Sequence, residues 1–397
     1  IVERDKPREQ LLGFLSRHKG ESGIVYCLSR RKVEETAAWL SASGVRALPY
    51  HAGMDRTARD ANQDAFLKED GLCLVATVAF GMGVDKPDVR YVAHLDLPGS
   101  VEAYYQETGR AGRDGLPSEA WMCYGMADVV QRRRMIEEGD APDAIKRIER
   151  SKLAALLGIC ETAECRRQAV LAHFGEKHPG GCGACDTCLK PVETWDGTDA
   201  AVKALAAVFR TGQRYGAGHV IDVLAGKSTE KTRRAGHDGL PVFGAGKDIP
   251  ARTWQSVFRQ LLASGLLRTD QEAHGALMLE EGARAVFRGE RKVTFRKDRA
   301  AKSGPAAKRP ASAAPLGPAE AELFEALRSE RREIAREIGA PPYVVFNDAT
   351  LVEMAMRRPA DLEAFAALPG VGQAKLEKFG ERFLAVIAAA QPGPSAP

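Results

Sequence analysis

In the first quarter of the chain, short apolar runs alternate with amphipathic stretches, and that alternation leaves few folds open. Gly23-Ile24-Val25-Tyr26-Cys27-Leu28 is an apolar run between turn residues, the pattern of a buried strand. Ser29 is placed to cap the helix that follows, with Val33, Ala37 and Leu40 on its apolar side. Val45 to Tyr50 predicts a second strand, Asp55 to Leu67 a helix, Leu72 to Thr77 a third strand and Tyr91 to Leu95 a fourth. Strands separated by helices form βαβ units around a parallel sheet. Such sheets bind ligands beyond the carboxyl ends of their strands, where Thr77, Gly81, Gly83 and Asp85 fall.

The next stretch, Tyr104-Tyr105-Gln106-Glu107-Thr108-Gly109-Arg110-Ala111-Gly112-Arg113-Asp114-Gly115, follows a helix expected to begin near Ser100. Glycine lets the backbone turn tightly and leaves both arginines free to point outward. A guanidinium held in this way can clamp a phosphoryl group and neutralise charge developing in a transition state. In isolation two arginines read as a solvated pair, since arginine is mostly exposed. The surrounding segments change that reading. Ala76 to Leu97, followed by Tyr104 to Gly115, resembles the second motor lobe of the RecQ family of DNA helicases. The resemblance implies a RecA-like α/β lobe that meets ATP and Mg²⁺ held by a first lobe. It puts Gln106, Arg110 and Arg113 in motif VI, with Arg113 as the arginine finger and Arg110 as its competitor. It puts Thr77, Gly83 and Asp85 in motif V, which couples nucleotide state to DNA. Tyr50-His51-Ala52-Gly53 also matches, leaving His51 as either a DNA-backbone contact or a structural polar residue.

A helicase motor also needs a Walker A loop, G-x-x-x-x-G-K-[ST], whose amides and lysine hold the phosphates. Gly226-Lys227-Ser228 lacks the upstream glycine, because Ile221 stands there. Gly244-Ala245-Gly246-Lys247 is followed by Asp248 instead of a hydroxyl. No Asp-Glu-x-His motif is present, and the chain begins at Ile1. The expectation is therefore the C-terminal part of a longer protein, without a first lobe of about 200 residues. Alone, it is expected not to hydrolyse ATP.

Cysteine spacing supplies the second strong constraint. Cys27, Cys73 and Cys123 lie in apolar strands and read as core. Cys182-Gly183-Ala184-Cys185-Asp186-Thr187-Cys188 puts three thiols in one turn, with Cys160 and Cys165 upstream as alternatives for a fourth. Four thiolates suit Zn²⁺, and a closed all-cysteine site is structural rather than catalytic. A disulfide would need an oxidising compartment that nothing here suggests. The RecQ zinc module resembles Cys165-Arg166-Arg167 before Phe174-Gly175, which selects Cys165 over Cys160 and implies Cys165, Cys182, Cys185 and Cys188 as ligands of one ion.

Beyond the cysteines, Thr198-Asp199 precedes a helix containing Val202, Leu205, Ala206 and Phe209. Trp254, Val257, Phe258, Leu261 and Leu262 share one face of a later helix. Leu266 to Thr269 and Ala276 to Leu279 flank a turn bearing His274. Helices followed by a hairpin describe a winged-helix domain, which by resemblance grips duplex DNA, with His274 near the strand junction. Toward the end, Leu323, Leu327, Ile334 and Ile338 recur at helical spacing. That last segment is similar to the HRDC domain, an accessory single-strand binder. There Tyr343 is placed to stack on a base and Lys375 to meet phosphate.

The expected boundaries are residues 1–137 for the lobe, 138–195 for a helical zinc module, 196–295 for the winged helix, 296–317 for a basic linker, 318–391 for a small all-α HRDC domain and 392–397 for a tail. Eight Lys or Arg and one acid lie between Arg291 and Arg309, although the formal net charge is only +4. That linker attracts phosphate diffusely or serves as a solubilising tether. No apolar run is long enough to span a membrane. The resemblance implies a cytoplasmic, nucleoid-associated 3′ to 5′ helicase of DNA repair and recombination, with a single-strand-binding protein as a further partner. The rival reading is a non-enzymatic, zinc-containing DNA-binding adaptor with a relic motor lobe.

Overall fold

A computed structural model describes residues 1–80, 85–270, 276–297 and 316–390. Gly81, Gly83, His274, the tail and most of the basic linker lie outside the described residues.

The motor lobe is built from β1 (Val2–Glu3), α1 (Pro7–Leu15), β2 (Ser22–Tyr26), α2 (Arg30–Ala42), β3 (Ala47–Tyr50), α3 (Arg56–Lys68), β4 (Cys73–Ala76), β5 (Val89–His94), α4 (Val101–Thr108) and β6 (Glu119–Tyr124). The sheet order is β1-β6-β5-β2-β4-β3, with every pairing parallel. β2, β4 and β5 are buried along their whole length, as strands covered on both faces must be. Ile24, Leu74, Val92, Phe66 and Phe80 fill the space between sheet and helices. Ser29 caps α2 through the Lys32 amide, and Asp55 caps α3 through the Thr57 and Ala58 amides. At one end of the sheet, β1 at the edge and β6 beside it have weaker local signals. β1 is two residues long and exists by pairing with Cys123 and Tyr124.

α5 (Met126–Glu138) follows the sheet, and α6 (Asp143–Glu161), α7 (Arg166–His173) and α8 (Asp186–Leu189) lie in the stretch expected for the zinc module. The winged-helix portion follows with β7 (Thr194–Asp196), α9 (Thr198–Arg210), α10 (Ala217–Leu224), α11 (Glu230–Arg234), α12 (Ala251–Ala263), β8 (Leu267–Asp270), β9 (Ala276–Leu279), α13 (Ala283–Phe287) and β10 (Thr294–Arg296). β8 and β9 pair antiparallel, as do β7 and β10. The buried face of α9 is Ala201, Ala204, Leu205 and Val208, whereas Phe209 is more than half exposed.

The last module contains α14 (Pro318–Glu337), α15 (Pro342–Val345), α16 (Asp348–Arg357), α17 (Leu362–Ala366) and α18 (Gln373–Ala389). Phe346, Phe365 and Phe383 meet Leu327, Ile334 and Met354 in its core. Ile338 falls outside that core, half exposed at the end of α14.

The chain divides into two compact units. One comprises Ile1–Asp5, Leu97–Tyr105 and Cys123–Pro305; the other comprises Lys6–Asp96, Gln106–Met122 and Ala306–Pro397. Within the first, a buried ionic knot joins five elements, β1, β6, α6, α12 and β10. Glu161 receives Arg259 Nε and Arg296 Nε at 2.6 Å each and the Tyr124 hydroxyl, while Arg259 also reaches Glu3 at 3.0 Å.

Candidate nucleotide-facing and zinc sites

The arginine-bearing turn is positioned by a glycine and two ion pairs. Gly112 has φ +72°, and a Cβ there would meet Ser118 Oγ at 2.6 Å, so no other residue fits without displacement. Its amide donates to Val89 O at 2.9 Å, pinning the turn to β5. Asp114 pairs with the buried Arg90 on that same strand. Just before the turn, Glu107 meets His94 Nε2 at 2.7 Å, and both side chains are buried. The α4-to-turn segment is therefore fastened to β5 at three points.

The two arginines then part company. Arg113 Nη1 contacts Asp85 Oδ1 at 2.7 Å with both groups substantially exposed, and its Nε approaches Gly109 O at 3.4 Å. Arg110 is half-buried beside Tyr26. Burial pushes the Tyr26 hydroxyl well above its usual range; the Arg110 guanidinium opposes this. Tyr26 donates to Phe80 O at 3.1 Å and stacks on His94. Gln106 is exposed, and Thr77 Oγ1 accepts from the Ala79 amide at 3.4 Å. The structure thus brings Asp85 of one expected motif to Arg113 of the other. The His94–Glu107 pair escaped the sequence reading, although His94 was visible as the polar end of an apolar strand. So did Asp96, which accepts from the Leu28 amide at 2.9 Å and from Lys32 at 2.5 Å.

His51 is 2% exposed and its Nε2 lies 3.1 Å from Glu34. So enclosed a ring is what the structural alternative expects. Phe346 is core. Tyr343 is partly buried, and Lys375 Nζ sits 5.3 Å from the centre of the Phe346 ring. The Lys375 charge thus lies against an aromatic face, and burial lowers its pKa.

The four sulfurs of Cys165, Cys182, Cys185 and Cys188 lie within 4.8 Å of one another. Two of these pairs are at 4.0 Å. A tetrahedron with Zn–S arms of about 2.3 Å has edges of about 3.8 Å, so the donor set and its spacing fit one structural zinc ion. Cys165 occupies the N-cap position of α7. Gly180, Gly181 and Gly183 all take positive φ, which folds the loop tightly enough to converge its thiols. Burial opposes the Cys185 thiolate, but the Thr187 hydroxyl and the Arg166 and Cys188 amides outweigh it and bring the thiol to about 6. Cys188, sharing hydrogen bonds with Cys185, is pushed up to about 12. Thiolates this close need a cation to coexist. Arg166 braces the site, holding Asp186 through Nε at 2.5 Å and Nη2 at 2.9 Å and the Cys160 carbonyl through Nη1 at 3.0 Å. Cys160 is fully buried away from the cluster.

Among the described residues no helix is long and apolar enough to cross a membrane.

Comparison with known proteins extends these sites to whole domains. Residues 6–115 match the helicase conserved C-terminal domain, 126–189 the RecQ zinc-binding domain, 191–304 the RQC domain and 320–387 the HRDC domain. The ATP-dependent DNA helicase RecQ of Haemophilus influenzae is 42% identical over 98% of this chain and 62% of its own length. That of Pasteurella multocida is 42% identical over 98% and 61% respectively, and that of Bacillus subtilis 34% over 95% and 61%. The chain spans about three fifths of the length of these relatives. The four matches follow one another without overlap, and the identity runs through all of them: the chain belongs to the RecQ family.

Proposed function

We propose that this chain provides the second RecA-like lobe and the DNA-handling modules of a RecQ-type, ATP-dependent 3′ to 5′ DNA helicase acting in repair and recombination. The observation that carries the reading is the turn at Gly109–Gly115. It presents Arg110 and Arg113 beyond the strand ends, pinned to β5, with Asp85 against Arg113 at 2.7 Å. Arg113, exposed and held by a surface carboxylate and one long contact to Gly109 O, is free to exchange Asp85 for the γ-phosphate of ATP bound with Mg²⁺ on a first lobe. A guanidinium so placed stabilises charge on the transferring phosphoryl group. Arg110 and Gln106 flank it as supporting groups. Thr77, Gly83 and Asp85 relay nucleotide state toward DNA.

The zinc ion, held by Cys165, Cys182, Cys185 and Cys188, supplies cross-linking and no chemistry, since all four positions are protein sulfur. The winged helix takes duplex DNA, and the HRDC module takes single-stranded DNA through Tyr343. We assign the module boundaries to residues 1–137, 138–195, 196–295 and 318–391, and the working location to the cytoplasm on the nucleoid, with a single-strand-binding protein as an associate.

The test is DNA binding and DNA-stimulated ATP hydrolysis recorded on one sample of this chain, before and after adding a separately produced first lobe. Binding alone, with hydrolysis appearing on addition of the lobe, is the expected result. Binding that never yields hydrolysis would favour an adaptor, and hydrolysis by the chain alone would reveal a phosphate site elsewhere.

A further inference from the structure

The turn between α3 and β4 carries Asp70, whose side chain is 8% exposed and, among the described residues, forms its ion pairs with α14 and not with its own lobe. Three arginines of α14 surround it: Arg328 Nη2 at 3.4 Å, Arg331 Nη2 at 3.7 Å and Arg332 Nε at 3.8 Å. Spacing along the helix explains the convergence, since residues three and four apart share one face. Arg331 is fully buried and anchored from behind, its Nη1 donating to Phe346 O at 3.0 Å and ion-paired with Asp348 at 2.8 Å. The HRDC core itself therefore aims one guanidinium nitrogen at the motor lobe. Around this cluster runs a cleft of 1470 Å³, walled by Leu15, Tyr91 and Leu116 of the lobe, by Leu316 just before α14, and by Phe324 and Val352 of the HRDC module.

The contact is attractive but poorly bonded. Neither Asp70 oxygen, nor Arg328 Nε, nor Arg331 Nε has a hydrogen-bond partner among the described residues. Buried polar atoms left this way cost free energy, which charge attraction must offset. A docked state of that kind lies close in free energy to a separated one and weakens as salt screens it. Tyr343 belongs to the same module. It is partly buried, and burial, together with the facing carboxylates Asp85 and Asp88 of the lobe, raises its hydroxyl pKa. DNA phosphates following a base onto that ring would meet two carboxylates.

We propose that the HRDC module is latched onto the motor lobe by Asp70 and the α14 arginines, and that the latched arrangement withholds Tyr343 from single-stranded DNA until the latch opens. The second half rests on the reading of Tyr343 as a base platform; the first does not.

The two halves separate in one experiment on the full chain. Hydrogen exchange is followed in peptides covering 68–72 and 318–332 for the parent and Asp70→Lys. Oligothymidine binding is then measured for the parent, Asp70→Lys, Tyr343→Ala and the double variant. The expected result is faster exchange in both peptides of Asp70→Lys. The parent should reproduce it on going from about 0.1 M to about 1 M salt, where the screening length falls from about 10 Å to about 3 Å. Asp70→Lys should bind oligothymidine about fivefold or more tightly, with the gain lost in the double variant. Unchanged exchange in Asp70→Lys overturns the latch. Faster exchange with a binding gain that survives Tyr343→Ala overturns the withholding of Tyr343. Should Tyr343→Ala be silent in every background, the base-platform reading itself fails, while the latch stands or falls on exchange alone.

Discussion

Replacing Arg113 by alanine should separate catalysis from folding to an unusual degree. In the lobe Arg113 is 39% exposed and its partner Asp85 is 80% exposed. An ion pair so open to solvent contributes about 0–1 kcal/mol to stability. The second contact, to Gly109 O at 3.4 Å, is long for a hydrogen bond. Truncation should therefore lower Tm by no more than about 2–4 °C for a unit of this size. The same guanidinium acting on a transferring phosphoryl group is worth about 10³–10⁵ in kcat, or about 4–7 kcal/mol. The assay is DNA-stimulated ATP hydrolysis by the intact helicase carrying a Walker A loop, with melting and DNA binding recorded on the same preparations. Turnover within about tenfold of the parent, in a folded protein that binds DNA, would refute the assignment of the finger. Arg110→Ala is the companion variant. Because Arg110 is half-buried beside Tyr26, it should lose stability as well as activity. A loss of turnover confined to Arg110→Ala would move the finger there.

Cys182→Ser should bring zinc content from about one ion per chain to near zero and lower the soluble yield, since metal affinity is also folding free energy here; unchanged zinc by atomic absorption would contradict the ligand set. Glu161→Gln should destabilise the first unit by about 3–5 kcal/mol, because the 2%-exposed Arg259 loses a charged partner; a melting curve within about 2 °C of the parent would show the knot to be dispensable. His18 is buried; burial alone would lower its pKa, but hydrogen bonds to Glu119 and Glu21 outweigh that and leave it raised. Its contribution is thus fully present below the unfolded value near 6.5 and is lost as pH rises through the folded one. Urea unfolding of the parent should weaken as pH rises through that window, and His18→Gln should flatten the dependence; an equal slope in the variant would assign it to another group.

Much of the architecture follows from patterns a few residues long. Period-two and period-3.6 patterns are local properties, so β2, β4, β5, α2 and α3 could be located from the residues within them. The cysteine run is equally local, because Gly180, Gly181 and Gly183 permit a tight turn whatever surrounds it. The turn at Gly112 belongs to the same class, since only glycine tolerates its φ and its proximity to Ser118. Other features depend on where distant segments meet. Asp85 finds Arg113 across 28 residues, Glu107 finds His94 across a strand-to-helix connection, and Glu161 gathers Arg259 and Arg296 from 98 and 135 residues away. Exposure is decided there too. His51, Phe209, Ile338 and Lys375 each carry a side chain whose pattern suits surface or core, and only packing determines which. The latch at Asp70 is the extreme case. A lone aspartate in a turn and three arginines on a helix are unremarkable in sequence, because Coulomb attraction depends on distances that the chain acquires only when it folds.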